Sequence, residues 1–229
     1  MNVESVVETI ARAPVAGLIF DMDGTLVDNM RIHNDAWQVW YQRHGLEFDH
    51  DRFFRETAGR SNREIVASLM PDLPAEEQDR LGHAKEELYR EIYAPVMAPL
   101  PGLMPLILKW RAQGRPMAVA TAAPPENADL VLDGLDIRQH MVTCVSPSMG
   151  YRGKPHPDLF LAAAQAMGLE PAQCLVFEDA PLGVEAARRA GMRAVAMMTM
   201  LERDAFAFDN IVGAVRDYTD PNLPSLIGL

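Results

Sequence analysis

Asp21 and Asp23 stand one residue apart in "GLIFDMDGTLVDN" (17–29), where an apolar run ends and Gly24-Thr25 follow. Two carboxylates this close resist joint ionisation unless a cation holds them. Three further stretches carry polar groups of matching chemistry: Thr121 closes "PMAVAT", Lys154 lies in "GYRGKPHPD", and Glu178 and Asp179 close "CLVFED". Clustered acidic oxygens suit Mg²⁺, which takes oxygen ligands and keeps several waters. Lys154 and Thr121 are the wrong groups for a metal and the right ones for a phosphate, and backbone N–H groups after Asp21 and Thr121 add donors. Metal, phosphate donors and a carboxylate nucleophile together describe phosphoryl transfer through an aspartyl-phosphate. Asp23 points the same way as Asp21 if the backbone stays extended, placed to protonate a leaving alkoxide and then deprotonate water.

Taken singly, each group has a plainer reading. An acid pair can be a solvated loop end, Thr121 a strand-end hydroxyl, Lys154 a surface lysine, and Asp179 the N-cap of "PLGVEAARRAG". "DMDG" is no EF-hand start, because its glycine comes too early, and "GYRGKP" lacks the spacing of a Walker phosphate loop. The signal lies in order and context.

That context is a set of short, near-continuous apolar runs: "VAGLIF" (15–20), "PMAVAT" (116–121), "MVTCV" (141–145), "CLVFE" (174–178) and "RAVAM" (193–197). Such runs fit parallel strands buried on both faces. Helical patterns fall between them: "GLMPLILKWRAQG", "ENADLVLDGL", "PDLFLAAAQAMG" and "PLGVEAARRAGM". The rhythm is that of a Rossmann-like, doubly wound α/β sheet, in which ligands bind beyond the carboxyl ends of the strands. All four polar signals fall at or just past such ends.

Residues 30–96 break the rhythm. "MRIHNDAWQVWYQRHG", "HDRFFRET", "SNREIVASLM" and "PAEEQDRLGHAKEELYREIYAPV" read as helices, with the acid-rich run at 76–91 a solvated face. The expectation is a core of 1–29 and 97–229 with a helical insertion, 30–96, after the first strand. Val3, Val6, Val7 and Ile10 predict a short packing helix at the N-terminus.

The 229 residues carry a net charge of -11 and 48% hydrophobic residues. That supports a real core and argues against a nucleic-acid partner, which calls for a basic patch. Lys109, Arg111 and Arg115 read as a helix end. No apolar stretch reaches membrane-spanning length. The N-terminus lacks the apolar core of a signal peptide. Cys144 and Cys174 lie in apolar runs and read as buried thiols, fitting a cytoplasmic location.

With these motifs in order, the chain resembles the haloacid dehalogenase superfamily of phosphotransferases. "FDMDGTLVD", "VAT", "GKPHPDLF" and "VFEDAPLGVEAARRAGM" are similar to its four motifs. The resemblance implies a Rossmann-like core with a small all-helical cap, 30–96, inserted after the first strand, with Asp21 as nucleophile and Asp23 as general acid/base. It implies Mg²⁺ on the Asp21 carboxylate, the Asp23 carbonyl and the Asp179 carboxylate, with Glu178 near, and a phosphoryl group held by Thr121, the Ala122 amide and Lys154. Asp23 separates the chain from the dehalogenase branch, which lacks the second aspartate. "HNDAW" (33–37) resembles the helical-cap subfamily of β-phosphoglucomutases and sugar-phosphate phosphatases. His33, Trp37, Arg60 and Asn62 are then candidate substrate contacts, His33 and Trp37 sharing a helix face at i, i+4. At positions where the mutases hold a second phosphate, this chain has Asn29, Asn62 and Asp72, and Ala123-Pro124-Pro125. The expectation is an Mg²⁺-dependent phosphatase, monomeric or weakly dimeric, acting on a small sugar or polyol phosphate. A mutase of the β-phosphoglucomutase type is the alternative and a non-catalytic module a remote one.

Overall fold

The computed structural model describes residues 14–50, 52–53 and 61–229. The expected N-terminal helix, and most of the helix expected at 50–57, lie outside these residues. The chain divides into two compact units. One comprises the chain up to Asp28 together with Ala98–Leu229, and the other is Asn29–Met97.

The first unit is built on a parallel six-stranded sheet in the order β3-β2-β1-β4-β5-β6. The strands are β1 (Gly17–Phe20), β2 (Met117–Ala120), β3 (Cys144–Val145), β4 (Cys174–Glu178), β5 (Arg193–Met197) and β6 (Ile211–Val215). Every residue of β1, β2 and β4 is buried, so the unbroken apolar runs are explained by cover on both faces. β3 keeps only two residues of the run expected to form it. β6 was not foreseen; it pairs only with β5, at the sheet edge, and most of it is half-buried.

The helices between the strands follow their local signals. Pro125 and Pro181 occupy first-turn positions of helices 125–134 and 181–189, where a missing N–H costs nothing. Helix 158–167 stops at Gly168, whose φ of +68° places it in the left-handed region. On one sheet face Ile19, Val176, Leu159, Phe160, Val184 and Met192 form a buried cluster. Phe20 and Phe177 stack at 5.0 Å, with Tyr218 against both rings at 6.1 and 5.4 Å. Each such side chain contributes about 1.5–3 kcal/mol on burial.

The second unit is helical: α1 (Met30–Arg43), α2 (Asn62–Leu69) and α3 (Ala75–Tyr93). Ser61 starts α2 with a capping box. Its hydroxyl accepts from Glu64 N, and Ser61 N donates to Glu64 Oε2 at 2.7 Å. Trp37 and Trp40 sit at 4% and 2% exposure, and Trp40 Nε1 donates to Leu81 O across to α3. The reading of 76–91 as a solvated face holds for Glu76, Glu87 and Glu91, which are exposed, and is corrected at Gln78, Lys85 and Glu86, which α3 buries along with Leu81, Leu88 and Tyr89. Lys85 is neutralised in place: its Nζ donates to Glu86 Oε1 at 2.7 Å and lies 3.1 Å from His33 Nδ1.

Candidate active site

The sheet register assembles the site. Phe20 pairs with Phe177 in the parallel ladder, and Asp21 N still donates to Phe177 O at 3.0 Å. The next residues, Asp21 and Glu178, therefore leave adjacent strands side by side at their carboxyl ends. Asp179 follows Glu178, and Thr121 follows β2, the neighbour of β1 on its other side. Lys154 comes from the loop before helix 158–167. Its Nζ donates to Asp21 Oδ1 and, at 2.7 Å, to Glu178 Oε2. With a side chain 9% exposed, Lys154 is not the surface lysine of the plainer reading. Asp179 does not cap the next helix either: that N-cap is Ala180, with no side-chain bond.

Two glycines let the carboxylates sit this close to backbone. Gly24 has φ +70°, and a Cβ there would fall 2.1 Å from Asp179 Oδ2. A Cβ on Gly183 would fall 2.0 Å from Glu178 Cδ. Thr121 is buried, and its Oγ1 accepts from Ala123 N at 3.0 Å, which fixes the turn that carries the exposed Ala122.

The electrostatics follow from burial. Asp21, Glu178 and Asp179 are all buried, and each offers an oxygen within 4.8 Å of the others. Burial pushes the Asp21 carboxyl up to about 8; Lys154 opposes this, and Glu178 and Asp23 add to it. Burial also raises Asp179 well above the carboxylate range, with Glu178 and Asp21 adding to the effect. Burial works to lower Lys154, but the Asp21 and Glu178 carboxylates outweigh it and leave it raised. One ammonium cannot balance three ionised carboxylates, so ionising all three would leave surplus negative charge, and burial pushes Asp21 and Asp179 towards their protonated forms instead. A set of carboxylate oxygens with that surplus fits a hard divalent cation. Asp23 is half-buried and acts on Asp21 and Asp179 through its charge.

The remaining candidates lie in the helical unit. His33 stacks on Tyr89 at 3.8 Å beside Lys85, and Asn62 donates its side-chain N–H to Glu86. Trp37 packs among Trp40, Tyr41 and Phe53. Arg60 lies outside the described residues. Lys85 and Glu86 were missed as buried groups, since a Lys-Glu pair in an acid-rich run carries the same letters as a solvated face. Cys174 is a buried thiol as expected, whereas Cys144 is only partly buried.

Comparison with known proteins bears on the same residues. The model of the haloacid dehalogenase-like hydrolase family matches residues 15–191. The chain is 37% identical over 182 residues to the fructose-1-phosphate phosphatase YqaB of Escherichia coli, covering 79% of this chain and 95% of that protein. It is 30% identical over 215 residues to the validoxylamine A 7'-phosphate phosphatase of Streptomyces hygroscopicus subsp. limoneus, covering 91% and 96%. Its fold matches a haloacid dehalogenase hydrolase of Entamoeba histolytica with a TM-score of 0.85 at 20% identity, over 93% of this chain and 98% of the other. Among the described residues no helix is long and apolar enough to cross a membrane. With Asp21, Thr121, Lys154, Glu178 and Asp179 all inside the matched segment, the chain belongs to the haloacid dehalogenase-like hydrolases.

Proposed function

We propose that the protein hydrolyses a small sugar or polyol monophosphate through an aspartyl-phosphate on Asp21. The observation that carries this is Lys154, buried between Asp21 and Glu178 and donating to both. The ammonium holds one Asp21 oxygen, so the other is free to attack phosphorus. In the first step the bond from Asp21 to phosphorus forms and the ester P–O bond breaks. Asp23 gives its proton to the departing alkoxide. In the second, Asp23 takes a proton from water as the water oxygen bonds to phosphorus, the bond to Asp21 breaks, and orthophosphate leaves with the carboxylate restored. Thr121, the Ala122 amide and Lys154 hold the phosphoryl oxygens.

Asp21, Asp179 and Glu178, with the Asp23 carbonyl, are the groups to hold Mg²⁺. When bound, Mg²⁺ offsets the charge of the carboxylates and of the phosphoryl group. Residues 30–96 serve as the cap that selects the rest of the substrate. The two free thiols suit a reducing compartment such as the cytoplasm.

Hydrolysis is favoured over the mutase alternative by the partners of the polar residues in the helical unit. Asn29 donates to Tyr89 Oη at 2.6 Å, Asn62 donates to Glu86, and Lys85 is paired with Glu86. Asp72 is exposed. A second phosphate would meet amides and carboxylates at these positions, not uncommitted cations. The test is a phosphate-release screen over phosphorylated sugars, polyols, nucleotides and glycolate, with Mg²⁺ and with EDTA. A coupled glucose-6-phosphate dehydrogenase assay on β-glucose 1-phosphate with added bisphosphate runs beside it. Mg²⁺-dependent release from at least one hexose or polyol monophosphate is expected. Efficient NADPH formation with little free phosphate would establish the mutase instead.

A further inference from the structure

Three consecutive carbonyls of the loop after Asp23 are each held by a different part of the first unit. Gly24 O accepts from Thr199 Oγ1 at 2.7 Å, Thr25 O from Tyr218 Oη at 3.0 Å, and Leu26 O from Leu100 N at 2.9 Å. On the inner side of the same loop the amides of Thr25, Leu26 and Val27 all donate to Met22 O. Thr199 lies two residues past the end of β5 and Tyr218 three past the end of β6. Both fall beyond the segment 15–191 that the family model matches, so none of the four motifs contains them.

The Tyr218 side chain is not free to do much else. Tyr218 is 7% exposed, its ring packs against Phe20 and Phe177, and its own amide donates to Pro101 O at 3.0 Å. A Cβ on Gly102 would fall 2.7 Å from Tyr218 C, so the segment is seated directly on the turn that opens helix 103–112. The ring is fixed by packing, and the phenol is aimed at one carbonyl.

We propose that Thr199 and Tyr218 are positioning residues for Asp23. They fix the Gly24–Thr25 and Thr25–Leu26 peptide groups, the second and third after Asp23, and through that turn set the direction of its carboxyl group. Neither touches the reacting atoms. The inference rests on the reading of Asp23 as the acid that protonates the leaving group. A misdirected acid slows esters whose leaving oxygen needs a proton and spares those whose anion departs unaided.

The test compares kcat/KM on phenyl phosphate and on 4-nitrophenyl phosphate, with Mg²⁺, for Tyr218→Phe, Thr199→Val and Thr199→Ser. Tyr218→Phe and Thr199→Val should lose about 10-fold or more on phenyl phosphate, and about 3-fold or less on 4-nitrophenyl phosphate, within the range general acid catalysis supplies. Thr199→Ser, which keeps the hydroxyl, should restore the wild-type ratio. The ratio of two substrates in one preparation does not depend on how much of that preparation is folded. Equal losses on both substrates, or none, would overturn the proposal, as would a Thr199→Ser ratio no better than that of Thr199→Val. Asp23→Asn separates the two layers. If it loses equally on both esters, the acid reading fails and the inference falls with it. If it is selective while the Tyr218 and Thr199 variants are not, the inference alone fails.

Discussion

Gly183 lies so close to Glu178 that a Cβ on the glycine would reach 2.0 Å from the carboxylate carbon and 2.2 Å from Oε2. The same Oε2 accepts from Lys154, and Oε1 accepts from Ala180 N at 3.2 Å. Gly183→Ala therefore has no route to accommodation except moving Glu178, which is 1% exposed. Overpacking of this kind costs about 1–3 kcal/mol. A fall in Tm of about 5 °C is expected, with phosphatase activity reduced by on the order of 10²-fold as Lys154 loses its second partner. Thermal unfolding and phosphate release on one preparation check both.

Asp21→Asn should keep the fold and lose at least ~10³-fold in turnover, since an amide cannot attack phosphorus. An unchanged circular dichroism spectrum with near-normal phosphate release would remove Asp21 from the nucleophile role.

Metal binding should be visible in stability as well as activity. The Asp21 carboxyl rises from 3.8 to about 8 in the metal-free fold, chiefly through burial. The folded state then holds a proton that the unfolded state has released, so the contribution of Asp21 to stability without added metal falls as pH rises from 3.8 towards about 8. Mg²⁺ competes with that proton. The rise in Tm on adding Mg²⁺ should be larger near pH 8 than near pH 6, and EDTA should abolish turnover. Differential scanning fluorimetry at the two pH values is the measurement, and a Tm indifferent to Mg²⁺ at both would count against the site.

In the helical unit Lys85→Met removes the ammonium that faces Glu86, whose side chain is 10% exposed. Breaking a buried pair from one side costs about 3–5 kcal/mol. Lys85→Met should lower Tm by on the order of 10 °C, and Lys85→Met/Glu86→Gln should recover part of the loss. A double variant no more stable than the single one would show that the pair is not coupled.

The sheet was legible where burial is complete. β4 and β5 span the same residues as the runs that forecast them, because an unbroken apolar stretch has one stable place in a covered parallel sheet. β6 was not, since "IVGAV" at a half-exposed edge offers neither a continuous buried run nor clear alternation. The candidate site was legible because Asp21, Thr121, Lys154, Glu178 and Asp179 stand at fixed points at strand ends and in one loop. Lys85 and Glu86 were not. A buried ion pair on a helix is defined by what faces it, here His33 and Asn62 from other helices, and no spacing within α3 encodes that. Thr199 and Tyr218 escaped for the same reason: a hydroxyl that holds a carbonyl some 175 or 193 residues away leaves no local mark.

Val27 forms an antiparallel bridge with Pro99, so the chain leaves the first unit and returns to it at adjacent backbone positions. Holding the two ends of a segment together costs closure entropy that grows only slowly with its length, about 0.6 kcal/mol per doubling. The insertion behaves as a cassette. Its helices can be lengthened, shortened or exchanged for others without changing the register of β1 against β2 and β4, and so without moving Asp21. Evolution can thus vary the chain between Val27 and Pro99 independently of the catalytic sheet. A chimaera grafted at that bridge would inherit the chemistry from one parent and the insertion from the other.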